Sequence, residues 1–176
     1  MNVEADKRWK TPAGLRRLLA LALLAATGLA TADETLENRF GDPFFPITAA
    51  LPDCPLPAGP FITESEWREQ AHRRIEKGTT CWLAGACERS NAYTYDREIA
   101  AAFQAAMKGH DDLFPDTTLW VTVQGRAVYV EGCATRASVA AQVEAFAKSL
   151  PHVVQAVATL RTDPAARAPY RLRGTP

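Results

Sequence analysis

Residues 96–162 constrain the fold most, because apolar spacing there switches between helical and strand periods three times with a turn signal at each switch. Ile99, Phe103 and Met107 recur at helical spacing among alanines, which favours a helix opened by Asp96 as a cap and ended by Gly109. Two alternating runs follow, residues 119–123 and 127–131, around Gln124-Gly125-Arg126. A two-residue turn puts Leu119, Val121 and Val123 on the same face as Val128 and Val130, whereas a three-residue loop sets Val121 opposite Tyr129 and mixes the faces. The hairpin with two-residue turn is therefore expected, with Gly132 at its end. Trp120, Thr122, Tyr129 and Glu131 fall on the other face.

Val139, Val143, Phe146 and Leu150 then mark a second helix, with Thr135 as its expected cap and Pro151 closing it, and residues 153–160 form a last strand. The order is αββαβ. A right-handed crossover is expected to place the last strand beside 119–123, making that strand central, with both helices on the valine face. The fold class is α+β, a small two-layer sandwich.

Upstream, residues 1–32 read as a targeting segment. Lys7, Arg8, Lys10, Arg16 and Arg17 precede an apolar run at 18–30, and Ala30-Thr31-Ala32 offers small side chains to a signal peptidase. Cleavage after Ala32 is expected to leave 144 residues with 15 Lys/Arg against 18 Asp/Glu. That balance gives no general attraction for nucleic acid, and no second run of membrane-spanning length follows.

Cys54, Cys81, Cys87 and Cys133 all lie beyond the cut, and four cysteines in an exported chain point to two disulfides whose pairing is left open among three. The alternative, a metal or redox site using Cys81, Cys87 and His72, is disfavoured by the C-x5-C spacing, which matches neither zinc nor thiol-oxidoreductase motifs. No metal and no cofactor is expected. His110-Asp111-Asp112 reads as a solvated turn, and His72 and His152 sit in charged or turn settings without a nucleophile beside them, so no enzyme is expected.

Residues 33–95 carry six prolines between Pro43 and Pro60, which argues against regular structure there. An extended arm laid over the domain and held by Cys54 is expected. Thr63-Glu64-Ser65-Glu66 is a capping box opening a helix over 64–77, with a Trp67, Ala71, Ile75 stripe and Gly78 as its stop. Residues 79–95 read as a disulfide-bounded loop, and 163–176 as a flexible basic, Pro-rich tail.

The segments Asp96-x-x-Ile99, VTVQGRAVYVEG and LPHVVQAVATL resemble the BON domain of bacterial envelope proteins. Gly125, Val128, Val130, Gly132, Pro151, Val153, Val157 and Leu160 fall at matching places, while His152 stands where that pattern has glycine, and Tyr129 and Cys133 are local variants. There is a single copy, and residues 33–95 lie outside the pattern. The resemblance implies a non-catalytic periplasmic module, peripheral to the membrane, that attaches to phospholipid or envelope components, with a role in envelope or osmotic stress. A protein-interaction subunit of an envelope or secretion assembly is the alternative. Contact with anionic phospholipid or an envelope protein is expected through Trp120 and Tyr129, with Lys108, Arg136, Lys148 and Arg161 as the cations.

Overall fold

The computed structural model describes residues 35–110 and 112–174. The expected signal segment, the cleavage site and Asp111 lie outside the described residues. The elements are β1 (Phe44–Ala49), α1 (Glu64–Leu83), a 3-10 turn (Ala92–Tyr95), α2 (Asp96–Met107), β2 (Thr117–Gln124), β3 (Ala127–Ala134), α3 (Ser138–Lys148) and β4 (Gln155–Arg161). The fold is α+β, a four-stranded sheet with three α-helices.

The hairpin has the expected register. Val123 pairs with Val128 and Val121 with Val130 across β2 and β3, and Gly125 (φ 60°) and Arg126 (φ 70°) make the two-residue turn. Left-handed dihedrals at both turn positions follow the right-handed twist of the strands. Leu119, Val121, Val123, Val128 and Val130 are fully buried against Ile99 and Phe103 of α2 and Val139 and Val143 of α3. Phe103 meets Phe146 edge-on at 5.1 Å, which ties the two helices together.

Several expectations are corrected. The strand order is β1-β2-β3-β4, so β4 lies parallel beside β3, Val128 opposite Ala156, and not beside β2. The free side of β2 is filled instead by β1, from the proline-rich arm. Pro43 O accepts from Val123 N–H, so alternation turns the backbone of Pro46 to the open side of the sheet, where its missing donor costs no ladder bond. A bulge at Ile47 follows. Helix α1 runs past Gly78 to Leu83, because Gly78 is buried where a Cβ would come within 2.6 Å of Asn91 Oδ1; the glycine serves close packing. Gly132 does not end the hairpin. It lies inside β3 at φ 150°, and a Cβ there would meet Thr118 O at 2.1 Å. Thr135 is exposed and caps nothing, since α3 starts after Ala137 without a side-chain cap. Asp96 is the first residue of α2 but does not cap it; its carboxylate accepts from Gly125 N–H (2.6 Å) and Arg126 N–H (2.8 Å), holding the hairpin turn to the helix.

The disulfides are Cys54–Cys133 and Cys81–Cys87. The first pins the loop after β1 to the outward side of β3, and the Tyr170 hydroxyl lies 3.5 Å from Cys54 Sγ and donates to Pro55 O. The segment 56–58 pairs with 171–173 through Ala58 N–H to Arg171 O (2.7 Å) and Arg173 N–H to Leu56 O (3.1 Å). Residues 170–173 of the tail expected to be flexible are therefore docked. Part of the arm and the tail together lie over the sheet face that the helices leave open.

Candidate functional site

Helix α1 opens as expected, with Glu66 N–H donating to Thr63 Oγ1 and Thr63 N–H to Glu66 Oε2. It does not bury its apolar stripe. Its inward face carries Arg74, whose guanidinium forms a bidentate pair with Asp42 (2.9 and 2.5 Å) between the rings of Phe40 (4.0 Å) and Tyr93 (3.9 Å). Asp42 also accepts from Gln124 Nε2 (2.7 Å) at the end of β2. One buried carboxylate thus joins the arm, α1 and the hairpin.

Along one flank of α1 this anchoring opens a polar groove. Glu69, Gln70, Arg73 and Lys77 line a cavity of about 320 Å³ with Tyr93 and Gln124. A second, of about 250 Å³, is bounded by Lys77, Tyr93, Gln124, Tyr129 and Gln155, and a third, of about 150 Å³, by Gly59, Thr122, Gln124, Tyr129 and Glu131. Burial pushes the Tyr93 hydroxyl and the Glu131 carboxyl above their ordinary values, with the Arg171 charge pulling the latter back. Lys77 and Glu131 make no hydrogen bond or ion pair among the described residues.

The opposite flank of α1 is apolar and exposed: Ile75 is 63%, Trp82 50% and Leu83 73% accessible. The Cys81–Cys87 bridge ties this last turn to the following loop.

The expected contact residues are not gathered into one patch. Tyr129 is exposed at the groove, but Trp120 is half-buried on β2 opposite Pro46 and Glu131. Lys108 follows the end of α2 remote from the hairpin turn, and Arg136 lies at that same end, beside the Thr135 N–H to Asp116 O bond. Lys148 closes α3 at the hairpin-turn end, where Ala127 pairs with Gln155. Arg161 donates to Asp53 O (2.9 Å) and Pro164 O (3.3 Å), holding loops together. Among the described residues no group of three His, Cys, Asp or Glu could hold a metal ion, and no helix is long and apolar enough to cross a membrane.

Each sheet edge has one outward backbone donor withdrawn. Pro46 removes a donor from the open side of β1, and Glu144 Oε1 takes the outward Ala158 N–H of β4 (2.8 Å). Sequence reasoning missed Asp42, Arg74, Gln124 and Glu131, since their meeting is tertiary. It also passed over Trp82 and Leu83, whose adjacency to Cys81 within an apparent loop hid the last turn of α1. No protein-family model matches the chain, and neither curated proteins nor solved structures give a match.

Proposed function

We propose that this chain is an exported, non-catalytic module of the bacterial envelope that attaches peripherally to a phospholipid surface from the periplasmic side. The BON-like residue pattern and two disulfides, which suit an oxidising compartment, support the setting. The observation that carries the attachment is the ridge of Ile75, Trp82 and Leu83. Large apolar side chains held out in water on a disulfide-clipped helix mark an interaction surface, and tryptophan suits the headgroup boundary because its ring is apolar and its N–H polar. The contact thus moves from Trp120 and the scattered cations to α1.

The test is co-sedimentation of the oxidised protein with phosphatidylethanolamine vesicles containing an anionic lipid fraction, at low and high salt. Transferring Ile75 and Trp82 out of water is worth about 1.5 kcal/mol or more each, so Ile75→Ser/Trp82→Ser should weaken binding at least tenfold. Absence of vesicle binding at low salt, or an unaltered double variant, sinks the reading. A second reading, docking on an envelope protein, draws on the same ridge because Glu76, next to Ile75 in α1, sets a negative charge beside it that an anionic lipid surface would repel. It predicts salt-insensitive recovery with one envelope protein that the double variant abolishes.

A further inference from the structure

We propose that the part of the groove on the outward sheet face beside Gly59 binds a small cationic ligand, with its ammonium or guanidinium group seated against Glu131 and Tyr129. This site is separate from the apolar ridge and does not depend on attachment to a membrane.

Three observations carry it. Glu131 projects from β3 on the face turned away from the helices, half-buried, with no hydrogen bond or ion pair among the described residues. Burial raises its carboxyl, and Arg171, whose charge opposes that rise, spends its guanidinium on Glu66 instead (3.3 Å). A carboxylate that has lost water without gaining a partner favours a cation brought from outside.

The cavity in front of it, about 150 Å³, is bounded by Gly59, Thr122, Gln124, Tyr129 and Glu131. Its side chains are rich in acceptors. Gln124 has committed its Nε2 to Asp42 (2.7 Å), which leaves the Oε1 to accept. The Glu131 carboxylate and Gln124 Oε1 only accept, while the Thr122 and Tyr129 hydroxyls can do either, so a ligand rich in N–H donors fits, and an ammonium has three and a guanidinium five. Tyr129, exposed beside Glu131, adds an aromatic face on which a cation is attracted.

The neighbouring cavity of about 250 Å³ shares Gln124 and Tyr129 and is bordered by Lys77. Lys77 has no partner among the described residues and repels a second positive charge. The ligand is therefore expected to carry one cationic head and a neutral or anionic remainder, as arginine does, and not to be a polyamine.

The experiment titrates the full, oxidised chain with L-arginine while following backbone and side-chain amide resonances by NMR, with acetate and putrescine as comparison probes. Saturable shifts are expected at the Gln124 side-chain amide and at Tyr129 and Glu131, with arginine ahead of putrescine and acetate inert. Glu131→Gln should weaken arginine at least tenfold, and Tyr129→Ala severalfold, with near-UV circular dichroism reporting the fold. Should Glu131→Gln fail to fold, the surface substitution Tyr129→Ala decides. Shifts that do not saturate, that spread over the surface, or that persist in the variants overturn the proposal. Retained vesicle binding in those variants would show that the ridge and this groove act independently.

Discussion

Removing each disulfide in turn tests how the open sheet face is kept covered. Cys54 and Cys133 are 79 residues apart in sequence, and Cys81 and Cys87 only 6. If a bridge acts mainly by restricting the unfolded chain, loop-closure entropy makes the long one worth about 4.5 kcal/mol and the short one about 2.4 kcal/mol. Cys133 is also buried, and the Tyr170 hydroxyl packs on both sulfurs of the long bridge (3.5 and 3.7 Å), so its loss adds a packing defect. Cys54→Ala/Cys133→Ala is therefore expected to lose at least about 2 kcal/mol more than Cys81→Ala/Cys87→Ala. The assay is urea denaturation under non-reducing conditions, followed by tryptophan fluorescence. Hydrogen exchange on the same variants locates the change. In the first variant, protection should fall together in segments 50–58 and 168–173, which the bridge and the Ala58–Arg171 and Arg173–Leu56 hydrogen bonds hold as one unit. Equal losses for the two variants, or a larger loss from the short bridge, would refute the argument and shift the weight to the β1–β2 ladder.

Two further outcomes follow from the charged groups inside the fold. Arg74→Ala leaves the Asp42 carboxylate buried without its guanidinium, which should cost about 3 kcal/mol or more in urea denaturation. Arg74→Lys should recover only part, because an ammonium can neither pair bidentately nor lie flat between Phe40 and Tyr93; a loss under about 1 kcal/mol for Arg74→Ala would refute the reading. Burial raises the Asp96 carboxyl from 3.8 to about 6, against the pull of the Arg126 and Gly125 amides. With the folded value above the unfolded one, the folded state holds more proton in that window. This contribution to stability is full below about pH 4, is lost as pH rises to about 6, and totals up to about 3 kcal/mol. Urea midpoints measured from pH 3.5 to 7.5 should lose that slope in Asp96→Asn, and an unchanged slope would show that Asp96 is not its source.

The hairpin was legible because two local constraints agree. Period-two valines and a two-residue turn admit one register, and a slip by one residue turns every valine to the wrong face. The α2 and α3 stripes were legible for the same reason, since each needs only its own spacing. Strand β1 was not, because its prolines argue against a strand unless Pro46 is known to face the open edge, and that depends on pairing with a segment some seventy residues away. The place of β4 was misjudged from the preference for a crossover past β2, when the arm had already taken that side. Gly132 reads in sequence as a stop, yet its role is to let β3 pass close to the Thr118 carbonyl. His152 shows the converse. It adopts φ 67° where the BON-like pattern has glycine, and its ring packs at a tilt against Tyr95, centroids 4.9 Å apart, an interaction glycine could not make.

The candidate sites were illegible because one buried ion pair decides which way α1 faces. Its apolar stripe predicts that Ile75 turns inward, but the helix carries Arg74 inward to Asp42, a partner 32 residues earlier that no local pattern can reveal. At about 100° per residue, Ile75 then stands on one flank of Arg74 and Lys77 about 60° round the other. A single rotation thus exposes the ridge on one flank and places Lys77 at the groove with Tyr129 and Gln124 on the other. An arginine that only filled space could have been an apolar residue, since a buried pair is often no more stable than a well-packed hydrophobic substitute. What Arg74 and Asp42 contribute here is orientation, because Asp42 reaches Gln124 as well and so sets the helix, the arm and the hairpin in one register. The ridge and the groove are two consequences of that one choice.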